Sequence, residues 1–293
     1  MQFGQFAVDY EERSYNPDRM RKERVARAQA SLKKHGLGAV MLFDYDHHRY
    51  LGFYSFHQYA RRRPGTFVLL VEGDGFPYVS IDHMNGHWER PRMPWFDGKM
   101  VLHTAKQNQM MAGFSKDPDF MAGELDKMAA EVKGLLQKHG KLDMPFGIDL
   151  ANYHLFEALK RAGIKVCDAN TAMCDAIMVK TPDEIHCLTM AAVIADAAHW
   201  EVAKALRPGM TELEIAGIAA NACYKAGAEE LEGPSFVVCS GERSGHGVPN
   251  MPTDRRIRPG DLVCIDINGV GFNGYRTCYY RTYCVGDKPT EFQ

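Results

Sequence analysis

The chain has 293 residues, 45% of them hydrophobic and 25% charged, which is ordinary for a globular protein of about two domains. The formal net charge of −2 excludes a global positive field that would attract nucleic acid or anionic lipid. The longest apolar runs, at 39–43 and 67–71, are too short to span a membrane. Because the N-terminus lacks the basic start and long apolar core of a signal peptide, we expect a cytoplasmic protein.

The first half of the chain alternates between helix and strand patterns. Pro17 suits the first turn of a helix, and His35 and Gly36 mark its end. A turn-rich stretch at 72–75 separates two apolar runs and predicts a hairpin. The predicted elements are a helix from 17, strands 39–43, 66–71 and 76–81, a helix at 120–139, and a β-α-β unit of 146–149, 152–162 and 165–167. Residues 1–168 are therefore predicted to form an α/β domain.

The second half opens with two well-marked helices. Residues 181–184 and 211–214 are capping boxes, each a threonine followed three residues later by a glutamate. Predicted strands follow at 236–240, 262–269 and 279–285. The last two are joined by a glycine-rich connection, which predicts an antiparallel pair. Residues 169–293 are therefore predicted to form a second domain of α+β type.

Two polar residues, Asp266 and His246, are candidates for an active site. Asp266 lies on an apolar strand, on the same face as Cys264 and Asn268, and should be largely buried. A buried carboxylate needs a cation, a metal or several hydrogen-bond donors. His246 lies between two glycines in a loop, where it could act as a proton shuttle or a hydrogen-bond donor.

These motifs together resemble the creatinase, prolidase and methionine aminopeptidase superfamily, peptidase family M24. The resemblance is carried by 46–53, 179–185, 207–212, the His-Gly-Val-Pro of 246–249, the Pro-Gly-Asp turn and aspartate strand of 259–269, and 274–282. It implies a creatinase-type α/β N-terminal domain at 1–168, followed by an α+β "pita-bread" catalytic domain at 169–293. It also implies that this catalytic domain is incomplete at its C-terminal end.

The resemblance implies a set of site residues with two departures from the family pattern. In metal-dependent members, two strand aspartates, a histidine and two glutamates hold a pair of divalent ions that activate a water. Asp266 matches the first aspartate, Cys278 stands where the second is expected, and the other three ligands would lie past Gln293. Arg62 matches an arginine that binds the substrate carboxylate across a dimer interface in creatinase, which implies a homodimer.

Three functions are compatible with this pattern. The first is a hydrolase of a small amide or C–N substrate, Xaa-Pro peptidase-like or creatinase-like, with His246 as proton shuttle. The second is a metal enzyme whose Asp266 and Cys278 bind manganese, zinc, iron or cobalt, the thiolate favouring a softer ion. It could resemble the family's dimethylsulfoniopropionate lyase, although Asn268 replaces an aspartate of that lyase. The third is a non-catalytic protein-binding module. A creatinase-like enzyme would use no metal.

Overall fold

The computed structural model describes residues 16–52, 67–82, 93–96, 98–103, 118–150, 153–231, 236–245, 251–286 and 288–291. The chain divides into two compact units. The first is Asp18–Lys180, and the second is Thr181–Gln293 with the described residues before Asp18. Among the helices that the structure describes, none is long and apolar enough to cross a membrane.

The first unit is an α/β layer structure. Its helices are α1 (Pro17–Lys34), α2 (Tyr45–Gly52), α3 (Pro118–Lys138), α4 (Tyr153–Arg161) and α5 (Asn170–Met178), with a short 3₁₀ helix at Pro94–Phe96. Its strands are β1 (Ala39–Leu42), β2 (Val68–Val71), β3 (Tyr78–Asp82), β4 (Met100–His103), β5 (Phe146–Ile148) and β6 (Val166–Asp168). The predicted hairpin of β2 and β3 and the predicted parallel β5-α4-β6 unit are confirmed.

A six-stranded sheet in the order β4-β3-β2-β1-β5-β6 separates two apolar cores. Successive residues of β1 face opposite sides, so Met41 joins the core formed with α3 and α4, whereas Val40 joins the core formed with α1 and α5. The sheet is therefore covered by helices on both faces, as the α/β prediction requires.

The boundary between the compact units lies after Lys180, whereas the sequence placed the domain boundary after residue 168. The helix α5 lies between the two boundaries, and it was not predicted from the sequence. Ala172, Met173 and Ala176 of this helix are buried in the core shared with α1. Because these side chains fill the first unit, the chain leaves that unit only when α5 ends.

The second unit packs two helices against an antiparallel sheet. Its elements are α6 (Pro182–Ala205), α7 (Glu212–Lys225), β7 (Glu230–Leu231), β8 (Val237–Ser240), a 3₁₀ helix (Gly241–Gly245), β9 (Leu262–Phe272) and β10 (Tyr275–Cys284). Both predicted capping boxes are present, with Thr181 and Thr211 accepting hydrogen bonds from the backbone of Glu184 and Glu214. In the sheet, β9 pairs with β10 on one side and with β7 and β8 on the other.

The β9–β10 hairpin is antiparallel as predicted, and its turn lies within the predicted connection, but both strands extend further towards the turn than predicted. The strand continues through the glycine-rich stretch to Phe272, and the chain reverses at Asn273 and Gly274. Both turn residues have positive φ, 50° and 85°, as a type I′ turn requires. The Asn-Gly pair is a strong hairpin signal that the sequence reading overlooked.

A bulge at Gly269 changes the register of this hairpin. Next to the turn Thr277 pairs with Val270, but Cys278 pairs with Asn268, so Gly269 has no partner on β10. Gly269 has a φ of 68°, a conformation that glycine adopts without steric cost.

We expect Gly269→Ala to destabilise the second unit by about 1–2 kcal/mol, because a side chain strains the backbone at positive φ. Gly217→Ala is the matched control. Gly217 lies within α7 with open space around its Cα, so alanine there should stabilise the helix by about 0.5–1 kcal/mol. Urea denaturation of the two variants measures both effects, and equal shifts would contradict the strained-bulge interpretation.

Candidate active site

Asp266 lies in the middle of β9 and is only 2% exposed, as its apolar strand predicted. Its register partners are Val237 on β8 and Tyr280 on β10. The thiol of Cys278 donates a hydrogen bond to Asp266 Oδ1, with 3.3 Å between the sulfur and the oxygen. The two predicted metal-site residues of the hairpin are therefore in direct contact.

The Gly269 bulge is what brings this contact about. An unbroken hairpin from the Asn273-Gly274 turn would pair Asp266 with Arg281, and Cys278 would lie on the opposite face of the sheet. The extra residue shifts the pairing by one position, so Cys278 and Tyr280 face the same side as Asp266. A glycine in a strand thus determines the composition of the candidate site.

The thiol of Cys278 holds its proton strongly. Loss of hydration, the hydrogen bond to Asp266 and the charge of that carboxylate raise the pKa of Cys278 to about 11. Near neutral pH the residue is therefore a neutral hydrogen-bond donor to a carboxylate. A cation bound beside it would have to displace this proton.

Tyr280 is a site residue that the sequence reading missed. It is 56% exposed and lies directly across from Asp266 in the strand register. The negative charge of Asp266 and a hydrogen bond to it raise the pKa of the Tyr280 phenol. Tyr280 is the register partner of Asp266 because of the Gly269 bulge. Without the bulge, the Asn273-Gly274 turn would place Arg281 opposite Asp266.

The opposite face of β10 is occupied by packing against α6. His199 of α6 is buried, with Nδ1 3.2 Å from the Tyr283 hydroxyl and Nε2 3.4 Å from the Tyr279 carbonyl oxygen. Burial lowers the pKa of His199, which favours a neutral ring. This histidine is engaged in helix–sheet packing, so the candidate site lies on the Asp266 face alone.

A second buried carboxylate, that of Glu212, accepts hydrogen bonds from the last residue of β8 and from residues that follow it. Its side chain is 0% exposed at the first position of α7. One oxygen accepts from the backbone N–H and hydroxyl of Ser240, at 2.9 and 2.7 Å. The other accepts from the backbone N–H and hydroxyl of Thr253, at 2.9 and 2.8 Å, and from Arg243.

These contacts lie on both sides of the segment 246–250, which carries the predicted His246. Ser240 and Arg243 precede that segment, and Thr253 follows it. Arg243 also donates to the Met251 carbonyl at 3.0 Å. Both flanks of the segment are thus attached to one buried carboxylate, a connection that no local sequence pattern indicated.

The predicted site residues divide into two groups. The structure brings Asp266 and Cys278 together. His246 and Arg62 lie outside the described residues, and their predicted roles stay predictions.

Asp266 and Cys278 have the spacing of two ligands of a single divalent ion. A carboxylate oxygen and a thiol sulfur 3.3 Å apart can occupy two neighbouring positions around one zinc-sized ion, whose bonds to oxygen and sulfur are about 2.0–2.3 Å. Within the described ranges, no cluster of three or more His, Cys, Asp or Glu side chains is arranged to hold a metal. The pair fits part of a single-ion site.

The second unit is similar to known proteins of one family. Residues 186–293 match the model of "Metallopeptidase family M24". The "Probable dipeptidase PepE" of Mycobacterium tuberculosis is 33% identical over 114 residues, 39% of this chain and 30% of that protein. The "Xaa-Pro dipeptidase" of Pyrococcus furiosus is 37% identical over 123 residues, 41% of this chain and 33% of that protein. The matches thus span about a third of each relative.

The fold is shared more widely than the sequence. The structure of an Xaa-Pro dipeptidase from Bacillus anthracis aligns with a TM-score of 0.69 at 22% identity, covering 92% of this chain and 66% of that one. This likeness confirms the expected fold, an α/β N-terminal unit followed by pita-bread elements. The family model and the related sequences fall on the unit that holds Asp266 and Cys278, so residues 186–293 are similar to metallopeptidase family M24 and to its dipeptidase and Xaa-Pro dipeptidase members.

Proposed function

We propose that the protein is a hydrolase that cleaves the C–N bond of a small amide, in the manner of an Xaa-Pro dipeptidase or a creatinase-like enzyme. The observation that carries the proposal is buried Asp266, held beside Cys278 on one face of the hairpin, within the segment that matches the M24 model. The dipeptidase names of the relatives favour a dipeptide as substrate.

His246 is the proposed proton shuttle of this reaction. Hydrolysis adds the hydroxyl of a water to the carbonyl carbon and a proton to the departing nitrogen. An imidazole with a pKa near neutrality can accept the proton of the attacking water and deliver it to that nitrogen. The attachment of both flanks of 246–250 to Glu212 supports this role, because a shuttle must be held at a fixed distance from the substrate.

Arg62 is the proposed contact for the carboxylate of the substrate. A guanidinium binds a carboxylate through two parallel hydrogen bonds, which would orient the scissile bond. By analogy with creatinase this arginine would come from the second subunit of a homodimer.

A divalent ion, if the site holds one, would be bound by Asp266 and Cys278. It would lower the pKa of a water molecule and polarise the scissile carbonyl. Because Cys278 offers sulfur in place of a second carboxylate, we propose zinc or iron rather than manganese as the preferred ion. A creatinase-like reaction would proceed at the same residues with no ion.

The test is a turnover assay of the purified chain against Xaa-Pro dipeptides and creatine, in chelator, zinc and manganese. We expect turnover of at least one substrate, and a loss of at least about 100-fold in His246→Ala. His154→Ala, at an exposed histidine of α4, is the control and should retain full activity. In Cys278→Asp, the preference should move from zinc towards manganese.

Each alternative has its own outcome. Unchanged turnover in His246→Ala would remove that residue from the mechanism. Activity that is indifferent to chelator and to Cys278→Asp would favour the metal-free, creatinase-like reaction. No turnover of any substrate, combined with a stable protein partner in pull-downs, would replace the hydrolase proposal with the binding-module function.

A further inference from the structure

Two cysteines face each other across neighbouring strands of the second unit. Cys239 on β8 and Cys264 on β9 are direct partners in the antiparallel register. Directly opposed residues have Cα atoms about 4.5–5.5 Å apart and side chains on the same face. Disulfides span Cα separations of about 4.4–6.8 Å. The backbone therefore already has the spacing that a disulfide between these residues requires.

The pair combines an accessible thiol with a protected one. Neither cysteine is in a disulfide; Cys264 is half-buried, whereas Cys239 is 4% exposed. A small oxidant can reach Cys264 from solvent. Cys239 lies opposite Cys264 on the paired strand and is buried. This is the arrangement of a reacting thiol beside a resolving thiol.

We propose that Cys239 and Cys264 form a reversible dithiol–disulfide pair that responds to hydroperoxides. The sulfur of Cys264 attacks the peroxide oxygen, which breaks the O–O bond, leaves a sulfenic acid on Cys264 and releases water or an alcohol. The sulfur of Cys239 then attacks the Cys264 sulfur, and the sulfenic oxygen leaves as water. The two thiols supply the two electrons that reduce the peroxide, and a thiol reductant reverses the reaction.

The bond would form next to the candidate active site. Two positions along the same two strands, and on the same face, the register pair is Val237 with Asp266. A disulfide between 239 and 264 also closes the loop that contains Ser240, Arg243 and Thr253, the contacts of Glu212. Closing this loop restricts the unfolded chain, so the oxidised form should melt at a higher temperature than the reduced form.

The other thiols do not share this arrangement. Cys278 and Cys284 have Asn268 and Leu262 as their register partners. In the described part of the chain, Cys239 and Cys264 are the cysteines that oppose each other directly. Cys174, exposed on α5 of the first unit, supplies an accessible thiol without such a partner.

The test is to oxidise the full chain with a small excess of hydrogen peroxide, alkylate the remaining thiols, digest it and identify the peptides by mass spectrometry. We expect a peptide pair linked through Cys239 and Cys264, about 2 Da lighter than the two thiol peptides and released by dithiothreitol. Cys239→Ser and Cys264→Ser should each abolish the link, and Cys174→Ser should leave it intact. In Cys239→Ser, dimedone should label Cys264.

The readout does not depend on any substrate, so it is separate from the fate of the proposed hydrolase. A natively folded chain that yields no linked peptide, or a link that persists in Cys264→Ser, would overturn the inference. Oxidation of Cys264 to the sulfonic acid without a link to Cys239 would also overturn it.

Discussion

Replacing Glu212 by alanine is expected to destabilise the second unit by about 3–5 kcal/mol. The carboxylate is fully buried and accepts hydrogen bonds from Ser240, Thr253 and Arg243. Alanine would leave the Ser240 and Thr253 donors facing a cavity and would remove the charge partner of the Arg243 guanidinium, and buried groups that lose their partner carry the full cost of desolvation. Urea denaturation, with the midpoint and slope compared between wild type and variant, measures the loss.

Glu214→Ala is the matched control for this prediction. Glu214 lies two residues further along the same helix, and its carboxylate accepts from the backbone N–H of Thr211 in the capping box. This cap is exposed to solvent, so its removal should cost far less than the removal of Glu212. Comparable losses in the two variants would show that the buried network adds nothing beyond the helix cap.

The acid sensitivity of the network follows from the pKa of Glu212. Burial raises this pKa, but the hydrogen bonds from Ser240 and Thr253 outweigh burial and lower it below the usual value. A carboxyl with a depressed pKa stabilises the folded state above its unfolded pKa and loses that contribution as the pH falls through its folded pKa. In Glu212→Gln, stability should therefore fall less on acidification than in the wild type.

Local sequence signals predicted most of the framework around the candidate site. The capping boxes at Thr181 and Thr211 identified the first residues of α6 and α7, because the signal is contained within four residues. The burial of Asp266 followed from the apolar residues beside it on the strand. Each of these inferences depends on neighbours in the chain.

The remaining features depend on contacts between distant residues. Glu212 looks like a helix-start residue, and only the folded chain shows that Ser240 and Thr253 converge on it. The Cys278–Asp266 contact depends on a one-residue bulge at Gly269, which reverses the face on which every later residue of β10 lies. The sequence contains Gly269, but it does not show whether this residue continues the strand, forms a turn or forms a bulge.

The first unit contains a comparable buried carboxylate, and we expect Asp149→Ala to cost about 3 kcal/mol. Asp149 follows β5, and its side chain is 1% exposed. It accepts hydrogen bonds from the backbone N–H groups of Phe43 and Asp44, at 2.8 and 3.0 Å, which follow the parallel strand β1. His47 Nδ1 lies 3.0 Å from the same carboxylate. The residue therefore joins the ends of two strands, and its loss leaves several donors unsatisfied.

Asp168→Ala provides the control, because Asp168 ends the neighbouring parallel strand β6 in an exposed position. Its carboxylate accepts from the Asn170 side chain at 2.7 Å and should be worth about 1 kcal/mol or less. Denaturant unfolding of both variants should rank Asp149→Ala well below Asp168→Ala in stability. The reverse order would show that the buried junction between β1 and β5 is not a major source of stability.

The same junction makes the stability of the first unit depend on pH. Burial lowers the pKa of His47, but the hydrogen bond and charge of Asp149, with the charges of Asp44 and Asp46, outweigh it and raise the pKa above 6.5. A histidine with a raised folded pKa stabilises fully below its unfolded pKa, about 6.5, and that contribution is lost as the pH rises through the folded pKa. The difference in stability between wild type and His47→Gln should therefore shrink as the pH is raised from about 6 through this range. A difference that stays constant with pH would mean that His47 contributes to the fold without its charge.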